Sequence, residues 1–163
     1  MARAQLVSLD LVLSAIAFLI VFLFLFSLWN LYTSRWAENE AMEELELTAF
    51  QMSDLLFKSP GIPEHWEDTP STVITPGLAQ EPGVLNSAKV QAFLGLNYTQ
   101  IKRKWNIERY EFNFKLGDEQ GNILNRTGID FNSSGIIIAV SQFILLDNST
   151  REAILTIGRN DVR

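Results

Sequence analysis

The chain has 163 residues, with 13 basic and 19 acidic side chains and a net charge of −6. That length suits one domain of ordinary size plus one membrane element, and an acidic balance with no basic stripe excludes nucleic acid as a partner. The absence of cysteine excludes disulfides, thiolate metal sites and cysteine nucleophiles.

Arg3 opens a short polar leader over residues 1–10, and Asp10 stands at the edge of an apolar run. Residues 11–34 carry no charge, only Ser14 and Ser27 interrupt the run before Trp29, and Trp29, Tyr32 and Trp36 cluster at its far end. At ~1.5 Å per residue, about 20 such residues cross the ~30 Å hydrocarbon layer, and amphipathic aromatics favour its interface. A transmembrane helix over 11–34 is therefore expected. A cleaved secretory signal fits less well, because the apolar core is too long and no small-x-small site ends it. Beyond Arg35 come Glu38, Glu40, Glu43, Glu44 and Glu46, whereas Arg3 lies on the short side. Positive charge stays inside, so the N-terminus is expected in the cytoplasm of a single-pass cell-membrane protein. Residues 35–163 then form an extracellular head.

No Gly or Pro occurs between Ala2 and Ser59. Residues 35–58 are rich in strong helix formers, and Met42, Leu45, Ala49, Met52 and Leu56 recur at three- and four-residue intervals. The membrane helix is thus expected to continue to about Lys58, with that stripe against the rest of the head. Pro60, Gly61 and Pro63 end it. A Pro/Gly/Thr-rich loop is expected over 59–85, pinned by Trp66. His65 is the only histidine, and with no nucleophile motif beside it a catalytic role is not expected.

Asn86 or Ser87 can cap a first short helix, and "YTQIKRKWNI" suggests a second, giving short helices over 86–105. Lys102, Arg103 and Lys104 form the one basic cluster, expected as a solvated helix face. From Arg109 the period becomes two: Tyr110, Phe112, Phe114 and Leu116 alternate with Glu111, Asn113 and Lys115. Four antiparallel strands are expected over 109–159, with turns at "GDEQGN" and "DNSTRE" and a long apolar strand, "GIIIAVSQFILL", suited to the middle of a sheet or to a face covered by the long helix. One amphipathic helix on such a sheet gives each apolar face a partner, an α+β head. Asp118, Gln120 and Asn122 alternate, but Gly121 is misplaced for an EF-hand and no Glu closes it, so turn chemistry explains them. No phosphate loop, HExxH or Ser-His-Asp pattern is present, so neither enzyme, metal nor cofactor is expected. Four Asn-x-Ser/Thr sequences, at Asn97, Asn125, Asn132 and Asn148, fall in the outward part and are candidate N-glycosylation sites.

Arg3-Ala4-Gln5, then Ser8 and Asp10 ahead of the apolar run, resembles the class III signal peptide of archaeal type IV pilin-like proteins. The stretches "SPGIPEHWE", "GLA", "LNSAKVQAFLGLNYTQIK" and "RYEFNFKL" look like the head of the same family, so the resemblance covers most of the chain. It implies processing by a prepilin peptidase on the cytoplasmic side, near Ala4 and Gln5. Asp10 is sixth counting from Gln5 and fifth from Leu6, so the bonds on either side of Gln5 are both candidates, and Asp stands where the family more often has Glu. The resemblance also implies that Asp10 compensates the freed N-terminal amine of a neighbouring subunit in a homo- or hetero-oligomeric filament. The expected role is structural assembly or adhesion at the cell surface. The alternative is a monomeric signal-anchored ectodomain that binds an extracellular ligand or an envelope partner, with Asp10 resting among headgroups.

Overall fold

A computed structural model describes residues 2–131 and 135–159, of which 2–10 and 34–39 are described by their backbone alone. The first element is a single helix, α1 (Ala2–Lys58), 57 residues long and helical through 34–43 as its uninterrupted helix formers require. The chain divides into two compact units between Met42 and Glu43.

In the first unit Leu11–Thr33 is long and apolar enough to cross a membrane, and every residue in it is exposed. The rings of Phe18, Phe22 and Phe26 stack along one side, at centroid separations of 6.2 and 6.5 Å, as side chains four apart on a helix must. Thr33 donates its hydroxyl to the Trp29 carbonyl at 2.8 Å, which satisfies a polar group where few other partners exist.

The second unit is an α+β head in which the end of α1 packs on a sheet. Its chain order after α1 is β1 (Gly61–Ile62), β2 (Thr75–Pro76), β3 (Ala79–Glu81), β4 (Val84–Leu85), α2 (Ser87–Leu94), α3 (Tyr98–Lys104), β5 (Glu111–Gly117), β6 (Ile123–Gly128), β7 (Ile136–Leu146) and β8 (Ser149–Arg159). The main sheet runs β3-β4-β7-β8-β5-β6. The strands after residue 109 pair antiparallel, as expected. The sheet is not antiparallel throughout, however, because β4 pairs parallel with β7 through Val84↔Leu145 and Leu85↔Leu146. The covalent path from β4 to β7 passes through both short helices and two strands, ample length for a parallel return.

The core lies between the inner face of this sheet and the helices. Leu45, Ala49, Leu56 and Phe57 of α1 meet Phe112, Phe114, Leu116, Val140, Ile144, Leu155 and Ile157 of the strands. The stripe expected on α1 is buried at Leu45, Ala49 and Leu56 and partly buried at Met52. Met42 is 48% exposed, and Ser53 and Phe57 complete the buried face instead. Rings pack edge-on at Phe93–Phe114, 5.7 Å, and Trp105–Phe112, 5.2 Å, the geometry that aligns positive ring edges with negative faces.

The segment 59–85 is no structureless loop. It holds β1 to β4 and two 3₁₀ turns, Trp66–Asp68 and Pro70–Thr72. Trp66 is the expected anchor: it is fully buried and donates its indole N–H to the Gly77 carbonyl at 2.9 Å. The segment also serves the C-terminal end of α1, whose last carbonyls have no partner within the helix. Leu78 N–H donates to Leu56 O at 2.8 Å, Ala79 N–H to Ser59 O at 3.1 Å and Gly83 N–H to Phe57 O at 3.4 Å. That approach needs a glycine at 77, where a Cβ would lie 2.3 Å from Ser59 O.

Candidate functional site

Among the described residues three surfaces stand out, each from a mismatch between apolar sequence and available cover. The first is the whole of Leu11–Thr33, whose Trp29 and Tyr32 are exposed at its far end. Ala4, Gln5 and Asp10 lie in the helical backbone of α1, and their side chains fall outside the described residues.

The second surface is the outward side of α1 within the head. Glu43, Leu47, Phe50 and Asp54 recur at three- and four-residue steps and are all exposed. Leu47 is 60% and Phe50 52% exposed, so the helix presents apolar groups on both sides, one to the sheet and one to solvent. The third surface is the outer face of β7. The run "GIIIAVSQFILL" takes the expected mid-sheet position between β4 and β8, but only Val140, Ile144 and Leu146 are buried. Ile137, Leu145 and, above all, Phe143 face outward, the last 75% exposed.

The basic cluster does not form one solvated face. Lys102 pairs with Glu111 at 2.9 Å and its side chain is only 12% exposed. Lys104 donates to the Val73 carbonyl, tying α3 to the preceding segment, and Arg103 alone of the three is exposed. Glu111 also accepts from the phenol of Tyr98, whose ring stacks on Phe112 at 4.8 Å. Burial first, and then the Glu111 carboxylate, push the Tyr98 phenol well above its usual range. Two of the three consecutive cations are thus engaged within the fold, and the cluster does not gather its charge for an anion.

A buried polar group escaped the periodic reading. Lys89, on α2, is 3% exposed, and its ammonium donates to Pro60 O at 2.9 Å and Ala79 O at 3.5 Å, with Glu67 Oε2 at 4.0 Å. No short motif marks it; the only signal was a lysine between Ala88 and Val90 on a helix that must bury one face. His65 has an exposed side chain, 3.8 Å from Glu67 Oε1. Asp118 accepts from Gln120 N–H and Asn122 N–H at 3.0 and 2.8 Å and from the Asn122 amide at 2.9 Å. These bonds, the Asn122 amide first, hold its carboxyl below the usual range. Its oxygens are therefore occupied by the turn. No group of three or more potential metal-ligating side chains occurs among the described residues.

The candidate sequons differ in setting. Asn97 caps α3 through Oδ1, Asn125 is half-buried in β6, Asn148 is exposed in the β7–β8 turn, and Asn132 lies outside the described residues. No family model, curated protein or solved structure matches this chain.

Proposed function

We propose that this protein is a pilin-like surface subunit, anchored by Leu11–Thr33 with its head outside the cell, trimmed near Ala4 and Gln5 by a prepilin peptidase and built into a filament. It acts by assembly or adhesion and carries out no chemistry of its own. The observation that supports this reading most is α1 itself. One helix supplies a membrane-length apolar segment, then one buried face for the head, and still leaves Leu47 and Phe50 in solvent. Half-covered side chains of this kind gain roughly 1–1.5 kcal/mol each when the rest is covered, and helices of neighbouring subunits would cover them. Asp10, at the membrane edge, would be matched there by a neighbour's freed amine.

A signal-anchored ectodomain that binds a partner through its head is the second reading, favoured by the exposed Ile137, Phe143 and Leu145 on β7. One experiment separates the two. The mature protein from its native membrane is sequenced from its N-terminus, and filaments are compared between the wild type and Asp10→Ala. The subunit reading expects a start at Gln5 or Leu6. In the mutant, removing one partner of a desolvated charge pair costs about 3–5 kcal/mol at each added subunit, so membrane-bound monomer accumulates and filaments vanish. Asp10→Glu retains assembly. An intact leader with no filaments in the wild type establishes the anchored ectodomain instead.

A further inference from the structure

We propose that, of the three sequons whose residues are described, Asn148 is the N-glycan acceptor, the carbohydrate being supplied by a membrane-bound oligosaccharyltransferase from a lipid-linked donor. This rests on the outward placement of the head proposed above. The sequence offers Asn97, Asn125, Asn132 and Asn148, and the fold distinguishes the three that are described by what holds each Asn-x-Ser/Thr segment in place.

The Asn97 segment is held closed. Its Oδ1 accepts from Thr99 N–H at 3.0 Å and Gln100 N–H at 3.4 Å, which keeps Thr99 in the first turn of α3. The middle residue, Tyr98, is stacked on Phe112 and bonded to Glu111. A transferase could draw this segment out only by breaking those contacts. The Asn125 segment is half-buried within β6, where Asn125 pairs across from Leu116 and Thr127 across from Phe114.

In the Asn148 segment the asparagine itself lies outside any strand, and Ser149 and Thr150 only open β8, opposite Leu146 and Leu145. Asn148, Ser149 and Thr150 are all exposed. Asp147 and Asn148, at φ 51° and 59°, form the left-handed pair of a two-residue hairpin closed by Leu146↔Ser149. Asn tolerates this backbone through local polar contacts, and that accounts for its presence in a turn. Turn chemistry alone leaves Nδ2 free, however, and no other side chain holds the three residues among the described hydrogen bonds. In the transfer, Nδ2 attacks the anomeric carbon of the donor sugar and a C–N bond forms. The bond from that carbon to the lipid phosphate oxygen breaks, the phosphate leaves with the electron pair, and one Nδ2 proton passes to a base of the transferase.

The test is glycopeptide mass spectrometry on the full chain from its native membrane, run beside protease treatment of intact cells. The expected result is a protease-accessible head with glycan on Asn148 and with Asn97 and Asn125 unmodified. Asn148→Gly, which keeps the turn, and Thr150→Ala, which keeps the asparagine, should each remove that glycan, and Thr150→Ser should retain it. An accessible head with bare Asn148, or with glycan on Asn97 or Asn125 in its place, overturns the inference and leaves the subunit reading standing. A protected head overturns the outward placement and the inference with it.

Discussion

Gln142 donates its side-chain amide to Ser53 Oγ at 3.0 Å, joining the inner side of α1 to the middle of β7 across 89 residues of sequence. Ser53 is 1% exposed, so water cannot replace it freely. Ser53→Ala should destabilise the protein by about 1 kcal/mol, the net value of such a bond. Urea unfolding of the full chain in detergent measures this. An unchanged midpoint would show that Gln142 finds water instead.

Two phenylalanines seven residues apart on α1 should behave oppositely. Phe57 is fully buried with its ring 6.2 Å from that of Phe114, so Phe57→Ala should cost about 3–5 kcal/mol. Phe50 is 52% exposed, and Phe50→Ala should change the unfolding free energy of the monomer by no more than about 0.5 kcal/mol. A large loss from Phe50→Ala in monomer would mean that its ring packs within the chain.

Lys89 and Glu67 should couple. Lys89→Ala removes the cation from beside Glu67 and leaves the Pro60 and Ala79 carbonyls without their donor, which should destabilise by about 3–5 kcal/mol. Glu67→Gln in the same chain should recover part of that loss, because the carboxylate would no longer be left buried and unpaired. Strict additivity of the two substitutions in chemical denaturation would mean that the 4.0 Å separation carries no interaction.

Tyr98 should make stability depend on alkaline pH. Its phenol donates to Glu111 and accepts from Phe112 N–H at 3.2 Å, and its folded pKa is raised, by burial before any other cause. A raised pKa means that the protonated phenol stabilises the fold. The contribution is complete below the unfolded value near 10 and is lost as pH climbs from there toward the folded value. Tyr98→Phe should lower stability at neutral pH by about 1 kcal/mol and flatten the decline above pH ~10. Equal slopes for both proteins in pH-dependent unfolding would place the phenol in water.

Much of the head is legible before any coordinates. The switch to a two-residue period at Tyr110, Phe112, Phe114 and Leu116 marks β5 because alternation is a property of one strand and its two faces. Asn86 reads as a candidate helix start because a cap binds backbone N–H groups only two and three residues away. The same locality explains where the reading stopped. Lys102, Arg103 and Lys104 look alike in sequence, and they separate only when Glu111 and Val73 arrive from other elements. Phe143 sits in an apolar run suited to mid-sheet, yet among the described residues no layer covers the outer side of β7.

Length, hydropathy and periodicity by themselves determined the helix through residue 58, the apolar span, the paired short helices and the antiparallel run after residue 109. Each of these rests on forces between residues a few positions apart, which composition in a short window already sets. Only the tertiary structure decided that β4 would lie parallel to β7, that Lys89 would be buried beneath Pro60 and Ala79, and that Gly77 would press against Ser59. Those outcomes depend on which distant backbone groups are left unpaired when the end of α1 meets the sheet. A window of sequence holds one side of each such pair and gives no sign of the other.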